Sequence, residues 1–545
     1  MQRWCPEAAR VWLAASTLAV AGATAAPLKA EPWSDLGDVE PPVRRAAGDT
    51  GIELSAEYRS RAIHLTSYDL DGHRAGWVDQ RLRTHLSLDR DETVRVVLDV
   101  DALEGILWGA STTTTALEES APGFGRVGLV YGGGEPTHPD SYDLGVEEGD
   151  TARLRHAYGE VWLPIGRLRV GRQPTVEGTT ITQAEGQSRA NRFGMADAGD
   201  SVDRVQLTWR PLQPLETDAQ REDRGFSVSP HYDLPNQGTQ QLGADDLHRA
   251  GIDLRYLAPL PTLEQLYDAT ARSSVAWSPN SDTVVGNLST VLQATVYELG
   301  VGLEVAYVTG RTREQSLALS ALTGELASPQ RIQQFGARFV ARWDEPVWSA
   351  YLEVDYASGD ADPSLDSRLT RFSFAPDANV GLLLFDHVLA FQTARSAAAA
   401  AASAPTTLPL PPISASTNRG VLADRMATDG AFTNAVAFFP QFDLRPVDTV
   451  VVRTGILLAW TPDGLLDPLA SLRSRALGGG DVNYNGGAPG FMYGTEIDGR
   501  ITWRYRQHFY ADLEGAYLVP GDALRDAEGN AKAASLVQGR LTFAF

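Results

Sequence analysis

Arginine and carboxylate side chains recurring at even spacings are the features of this chain that can do chemistry. Lys plus Arg number 47, and all except Lys29 and Lys532 are arginine. Arg81 and Arg83, Arg153 and Arg155, Arg167 and Arg169, Arg338 and Arg342, and Arg500 and Arg504 are each separated by an even number of positions, as are Glu353 and Asp355. In an extended strand, even spacing puts side chains on one face. A guanidinium binds carboxylates and phosphates bidentately, which an ammonium cannot do. Opposed rows of fixed charge across a channel sort solutes by sign and orientation. A GC-rich genome gives the same ratio of Arg to Lys, so the ratio alone assigns no ligand.

Other chemistry lacks a motif. The chain has no Gly-x-Ser-x-Gly, no His-Glu-x-x-His and no phosphate-binding Gly-rich loop, and its 9 His are scattered without metal spacing. Asp69-Leu70-Asp71-Gly72 and Asp360-Ala361-Asp362 read as turn formers rather than calcium ligands. No catalytic residue, metal or cofactor is expected, and the chain does not read as an enzyme. A net charge of −22 argues against a nucleic-acid partner.

The elements that would position these rows begin after an export address. Residues 1–26 carry Arg3 and Arg10, an apolar run from Val11 to Ala21 and the small residues Ala23-Thr24-Ala25, the layout of a secretory signal peptide. Cys5, the single cysteine, lies within it. No later segment approaches the 18 or so apolar residues of a membrane helix. Residues 27–50 are expected as a periplasmic N-terminal segment and residues 51–545 as one barrel, with a low-complexity long loop at 359–433.

Alternation supports that reading. Ile52, Leu54, Ala56 and Tyr58 alternate with Glu53, Ser55, Glu57 and Arg59. Phe335, Ala337, Phe339, Ala341 and Trp343 face away from Gln334, Arg338 and Arg342, and the chain ends on Val537, Gly539, Leu541, Phe543 and Phe545. Apolar residues toward lipid and polar residues toward a lumen are the signature of transmembrane strands. Short turns such as Asp89–Glu92, Pro164–Gly166 and Asp344–Pro346 alternate with long connections at 104–150, 174–201, 310–330, 359–433 and 462–490. The expected fold is an all-β transmembrane antiparallel barrel of about 18 strands. The strand near 215 is weak because Asp218–Arg224 is a charge run, and its failure would take a neighbour with it and leave 16. Trp77, Trp209, Trp277, Trp343, Trp348 and Trp460 fall at strand ends, as an interfacial girdle requires.

Expected lumen residues are Arg81, Arg83, Arg95, Arg153, Arg155, Arg167, Arg169, Arg172, Arg204, Arg338, Arg342, Glu353, Asp355, Arg500 and Arg504. They give an Arg-rich lumen inside a shell whose carboxylates lie mostly in loops. A barrel of 16 to 18 strands holds an aqueous channel unless something fills it. The loop at 174–201, with Glu185, Arg189 and Arg192, is a candidate constriction. The segment 376–395 is too apolar for a solvated loop and is expected to fold inward as a constriction or plug. The run Ala397–Ala402 reads as low-complexity and mobile.

Leu168-Arg169-Val170-Gly171-Arg172-Gln173 resembles the Gly-Arg-Gln strand of many porins and of the alginate-export-like outer-membrane family. Ala357-Ser358-Gly359-Asp360 and Phe374–Leu382 are similar to that family's long loop. The resemblance implies an 18-stranded barrel, pore roles for Arg169 and Arg172, and passage of anionic solutes. The leading expectation is a porin-like channel in the bacterial outer membrane for small hydrophilic or anionic solutes. The alternatives are an exporter of an anionic polysaccharide and a non-conducting structural or adhesive barrel. Expected partners are outer-membrane lipid, the solute, and the barrel-assembly machinery through Phe545.

Overall fold

In the computed structural model, residues 43–47, 50–91, 93–110, 151–186, 191–196, 199–212, 225–237, 247–260, 265–278, 283–313, 316, 326–403, 428, 430–506 and 508–545 are described. The proposed signal peptide and Arg189 lie outside them.

The strands are β1 (Val43–Ala47), β2 (Thr50–Thr66), β3 (Arg74–Arg90), β4 (Val94–Ala110), β5 (Thr151–Leu163) and β6 (Gly166–Pro174). They continue with β7 (Ser201–Trp209), β8 (Gly225–Gln237), β9 (His248–Leu260), β10 (Gln265–Ser278), β11 (Thr283–Val296) and β12 (Leu299–Thr312). The last are β13 (Gln330–Asp344), β14 (Trp348–Ala357), β15 (Ala435–Val447), β16 (Val450–Trp460), β17 (Met492–Tyr505), β18 (Phe509–Pro520) and β19 (Ala534–Ala544). Each strand from β2 to β19 pairs antiparallel with its sequence neighbour, and β19 returns to β2 with Gln538 opposite Ile63 and Phe543 opposite Tyr58. These are the 18 strands of a closed barrel. β1 folds back on the start of β2, Val43 opposite Leu54, and covers the part of that edge below the C-terminus.

The weak strand moves rather than fails. It begins at Gly225, after the charge run, and pairs with β7 and β9, so no neighbour is lost and the count stays even. The turn Pro164-Ile165-Gly166 explains the tight reversal between β5 and β6. Gly166 has φ +144°, and a Cβ there would lie 2.0 Å from the Thr208 carbonyl oxygen, so only glycine fits.

Large apolar residues line the outside: Leu288 is 53% exposed, Ile497 52%, Leu513 55% and Val537 54%. A continuous apolar belt is incompatible with water and suited to lipid. Among the described residues no helix is long and apolar enough to cross a membrane; the strands do so. Trp209, Trp343, Trp348 and Trp460 are exposed at the belt's edges. Trp77 is not part of the girdle. It lies on the inner face of β3, buried against the interior loop, because it shares the phase of Asp79 and Arg81.

Leu513→Arg places a charge in the middle of the lipid-facing row of β18 and is expected to cost about 2–4 kcal/mol. Urea unfolding in lipid vesicles measures this, and the unheated wild-type barrel should migrate ahead of the boiled form on a gel.

Candidate functional site: a divided lumen

On the inner wall, guanidinium groups and carboxylates are interleaved. Glu160 on β5 accepts from Arg169 Nε and Nη2 at 2.6 Å each, with Arg167 at 3.4 Å and Arg95 at 3.6 Å. Asp101 on β4 takes a bidentate fork from Arg83 at 2.7 and 2.8 Å, and Arg155 lies 3.7 Å away. Asp233 is shared by Arg204 and Arg249, Asp79 by Arg59 and Arg61, and Asp512 by Arg500 and Arg540. Arg338 binds Asp355 at 2.7 Å and Glu353 at 3.1 Å and stacks over Phe374. Where two or three arginines share one carboxylate, as at Glu160, Asp101, Asp233 and Asp79, a local positive excess is left.

Two loops enter this space. The first, between β6 and β7, crosses to the opposite wall. Arg192 reaches Gln441 at 2.6 Å and Asp443 at 3.0 Å on β15 and stacks on Tyr351 of β14. Arg453 and Arg500 donate to its carbonyl, and Gly194 N donates to Glu514. At its near side, Arg155 donates to the Glu185 carbonyl and Arg83 to that of Gly186. Burial pushes the Glu185 carboxyl above its usual range, while its hydrogen bond from Gly178 N works the other way.

The second loop, between β14 and β15, fills the lumen beside β2, β3 and β15 to β19. Phe372, Phe374, Leu382, Leu383, Leu384, Phe385, Val388 and Phe391 are buried against Ile63, Leu65, Trp77, Leu457, Tyr493, Leu518 and Leu536. Its pivot is Glu496 on β17. One carboxylate accepts from three successive amides, Leu382 N at 2.8 Å, Leu383 N at 2.8 Å and Leu384 N at 2.6 Å. These are the otherwise unpaired donors at the start of a π-helical turn, Leu384–Leu389, that runs into α1 (Ala390–Ser403). Gly381, φ +76°, lets the chain approach, because a Cβ there would come within 2.7 Å of Leu457. The segment 376–395 is thus folded inward. The alanine run belongs to α1 rather than to a structureless linker, as alanine's helix propensity favours.

Between the first loop and the wall of β6 to β12 a cavity of about 290 Å3 remains. Its charged lining is Arg167, Arg169, Arg204, Arg210, Arg255 and Arg272 against Glu177, Asp253, Asp268 and Glu304, with Thr, Ser and Gln between them. The Glu177 side chain is exposed to this space, 3.7 Å from Arg169 and 3.9 Å from Arg255. Desolvation opposes its ionisation, yet Arg169, Arg167, Arg255 and Arg272 together hold its carboxyl below the usual range.

The inward face carries Arg81, Arg83, Arg95, Arg153, Arg155, Arg167, Arg169, Arg204, Arg338, Arg342, Glu353, Asp355 and Arg500, in phase with their buried neighbours. Arg504 shares that phase but sits at the short-turn end, donating to the Asp448 carbonyl. Arg172 does not line the lumen. It pairs in register with outward Ala157 and Asp203 and makes its ion pair with Asp203 on the barrel's exterior at 3.0 Å. Three positions separate it from Arg169, an odd number, so that the alternation itself turns it outward. Sequence reasoning missed Arg61, Arg249, Arg272 and Arg540 on the strands, and Arg210 and Glu177. Arg272 was legible from its even spacing to Asp268 and Thr270, whereas Arg210 and Glu177 sit in turns, where alternation gives no phase. Carboxylates were expected mostly in loops, yet many also stand opposite the arginines inside the barrel. Asp79, Asp101, Glu160, Asp233, Asp443, Glu496, Asp512 and Glu514 are on the inner wall, all buried. Asp69 is occupied as a turn former, accepting from the amides of Asp71, Gly72 and His73.

No family model matches the chain, and no curated protein matches it. Similar solved structures include Acinetobacter baumannii OccAB1, with TM-score 0.48 and 9% identity over 91% of this chain and 96% of that chain. Pseudomonas aeruginosa OccK11 (OpdR) gives 0.45 and 12% over 91% and 96%, and P. aeruginosa OccK2 (OpdF) in complex with glucuronate gives 0.43 and 11% over 90% and 96%. With likenesses this distant, the closed strand register is what establishes the barrel.

Glu496→Ala strands three buried amides and is expected to destabilise the docked loop by about 3 kcal/mol or more. Single-channel recording should show larger and noisier current. His387, buried in the same loop, is pushed down to about 3 by burial and by the charge of Arg61. An undocked imidazole titrates near its ordinary 6.5, so as pH falls from about 6.5 toward 3 the undocked loop takes up the proton first and docking weakens. Protease cleavage of this loop should therefore rise in acid, and less so in His387→Leu.

Proposed function

We propose that this protein is a porin-like channel of the bacterial outer membrane that passes small hydrophilic solutes, with preference for anions. The observation that carries the reading is the open cavity beside the plugged half of the lumen, whose wall bears six arginines against four carboxylates. Solutes entering this space meet guanidinium groups set on rigid strands by the carboxylates behind them. Such fixed donors replace part of an anion's hydration, which favours entry, while the neighbouring carboxylates keep the affinity low enough for release. Arg167, Arg169, Arg204, Arg255 and Arg272 are the proposed contacts; Arg83, Arg155 and Arg192 hold the loop that narrows the passage.

Export of an anionic polysaccharide, the reading the family resemblance raised, requires a wide continuous path. The Arg192 tether and the Glu496 anchor both work against one. A non-conducting barrel would have no use for a polar cavity held open by buried charge.

Purified protein in a planar bilayer should conduct, and in a salt gradient its reversal potential should show anion preference. Arg169→Ala combined with Arg255→Ala should move that potential toward the cation side. Arg172→Ala, on the outer wall, should leave it unchanged. Absence of conductance at every voltage overturns the channel, and equal effects of the inner and outer substitutions overturn the assignment of its selectivity.

A further inference from the structure

The outer wall of β12 and β13 carries a basic cluster that the channel reading does not use. Outward residues on β12, counted from the short-turn end, are Leu299, Val301, Leu303, Val305 and Tyr307, followed by Thr309 and Arg311. The facing row on β13 is Trp343, Ala341, Phe339, Ala337 and Phe335, followed by Gln333 and Arg331. Tyr307 pairs with Phe335, Thr309 with Gln333, and Arg311 with Arg331. Phe335 also meets Tyr356 with ring centroids 5.8 Å apart, closing the apolar belt with an aromatic tier.

Level follows from this register. Eight residues of tilted strand from Leu299 to Tyr307 rise about 20 Å, close to the height of a barrel's apolar band of about 25 Å. Four further residues bring Arg311 and Arg331 about 10 Å beyond the aromatic tier, at headgroup depth on the long-loop side. A third guanidinium joins them from the loop after β14. Leu369 N donates to the Arg331 carbonyl at 2.8 Å, and Gln333 N donates to the Leu369 carbonyl at 3.0 Å. Leu369 is buried inward, so Arg368 turns outward, where its Nη1 donates to Gln333 Oε1 at 3.3 Å. Arg311, Arg331 and Arg368 are all exposed, and among the described residues no carboxylate forms an ion pair with Arg331 or Arg368. Like charges directly opposite each other across a strand pair repel. An anion held between them reverses that cost, and guanidinium forks match phosphate oxygens.

We propose that Arg311, Arg331 and Arg368 form a binding site for the phosphate groups of a phosphorylated glycolipid in the outer leaflet. Its acyl chains lie against Tyr307, Phe335 and Phe339 while the phosphate is held at the guanidinium tier. The site rests on the barrel being oriented with its long loops outward, and it is independent of what the lumen passes.

Native mass spectrometry of the full chain released from nanodiscs tests it, with bisphosphorylated lipid A, dephosphorylated lipid A and inorganic phosphate as separate probes. Wild-type protein is expected to retain the bisphosphorylated lipid at least tenfold better than the dephosphorylated one. Arg331→Glu with Arg368→Glu should abolish that difference, whereas Arg90→Glu, at the opposite end of the barrel, should preserve it. A heat-dependent gel shift verifies folding of the double variant, and Arg331→Gln serves where it fails. Equal retention of both lipids, or unchanged retention by the folded variant, overturns the site. Displacement of the lipid by millimolar inorganic phosphate assigns it to free phosphate and overturns it as well. Conductance of the variants should match wild type, so equal retention of both lipids by wild-type protein that still conducts defeats this proposal alone.

Discussion

Everything in this molecule depends on closure of the backbone ladder between β19 and β2. A membrane interior offers no water to an unpaired amide or carbonyl, so a sheet survives there only without free edges. The last residues bear this out: Phe545 N donates to the Ala56 carbonyl and Ala56 N to the Phe545 carbonyl. β1 then takes over the remaining edge of β2. With hydrogen bonding settled by the ring, side chains are free to divide into two solvents, lipid outside and the lumen within.

The lumen's chemistry follows from that division. Charged groups excluded from the belt are concentrated on the inner wall, where desolvation makes isolated charge costly. The solution is shared carboxylates: Glu160 with three arginines, Asp233 with two, Asp512 with two. Such clusters hold guanidinium groups in fixed positions, those of Glu160 and Asp233 at the edge of the open cavity. They also anchor the loop from β6, whose carbonyls at Glu185, Gly186 and Arg192 take the remaining donors.

The plugged half obeys a different rule. There the upper inner wall is apolar, with Ile63, Leu65, Trp77, Leu518 and Leu536, and the segment after Ala378 supplies the matching surface. Its amides need a partner inside the barrel, and the Glu496 carboxylate is that partner. One buried acid thus positions a whole apolar insert, while arginines position the polar one, so that the lumen has one dry and one wet side.

Alternation, turn spacing and charge in the sequence determined the barrel, its strand number and the face of many of the inward arginines, because a period of two is a local property. The same parity separates Arg172 from Arg169 and places Trp77 with Asp79, so those two positions were readable although the motif and the girdle pattern pointed elsewhere. Tertiary structure alone decided where loops go. A bulge opposite Asp99 lets Arg155 and His156 both face inward, which alternation forbids. Which wall Arg192 would reach, or that Glu496 would gather three amides more than a hundred residues away, depends on curvature and closure of the whole ring. Long-range contacts of that kind leave no periodic trace in the chain, so the side of the lumen that stays open is a property of the fold.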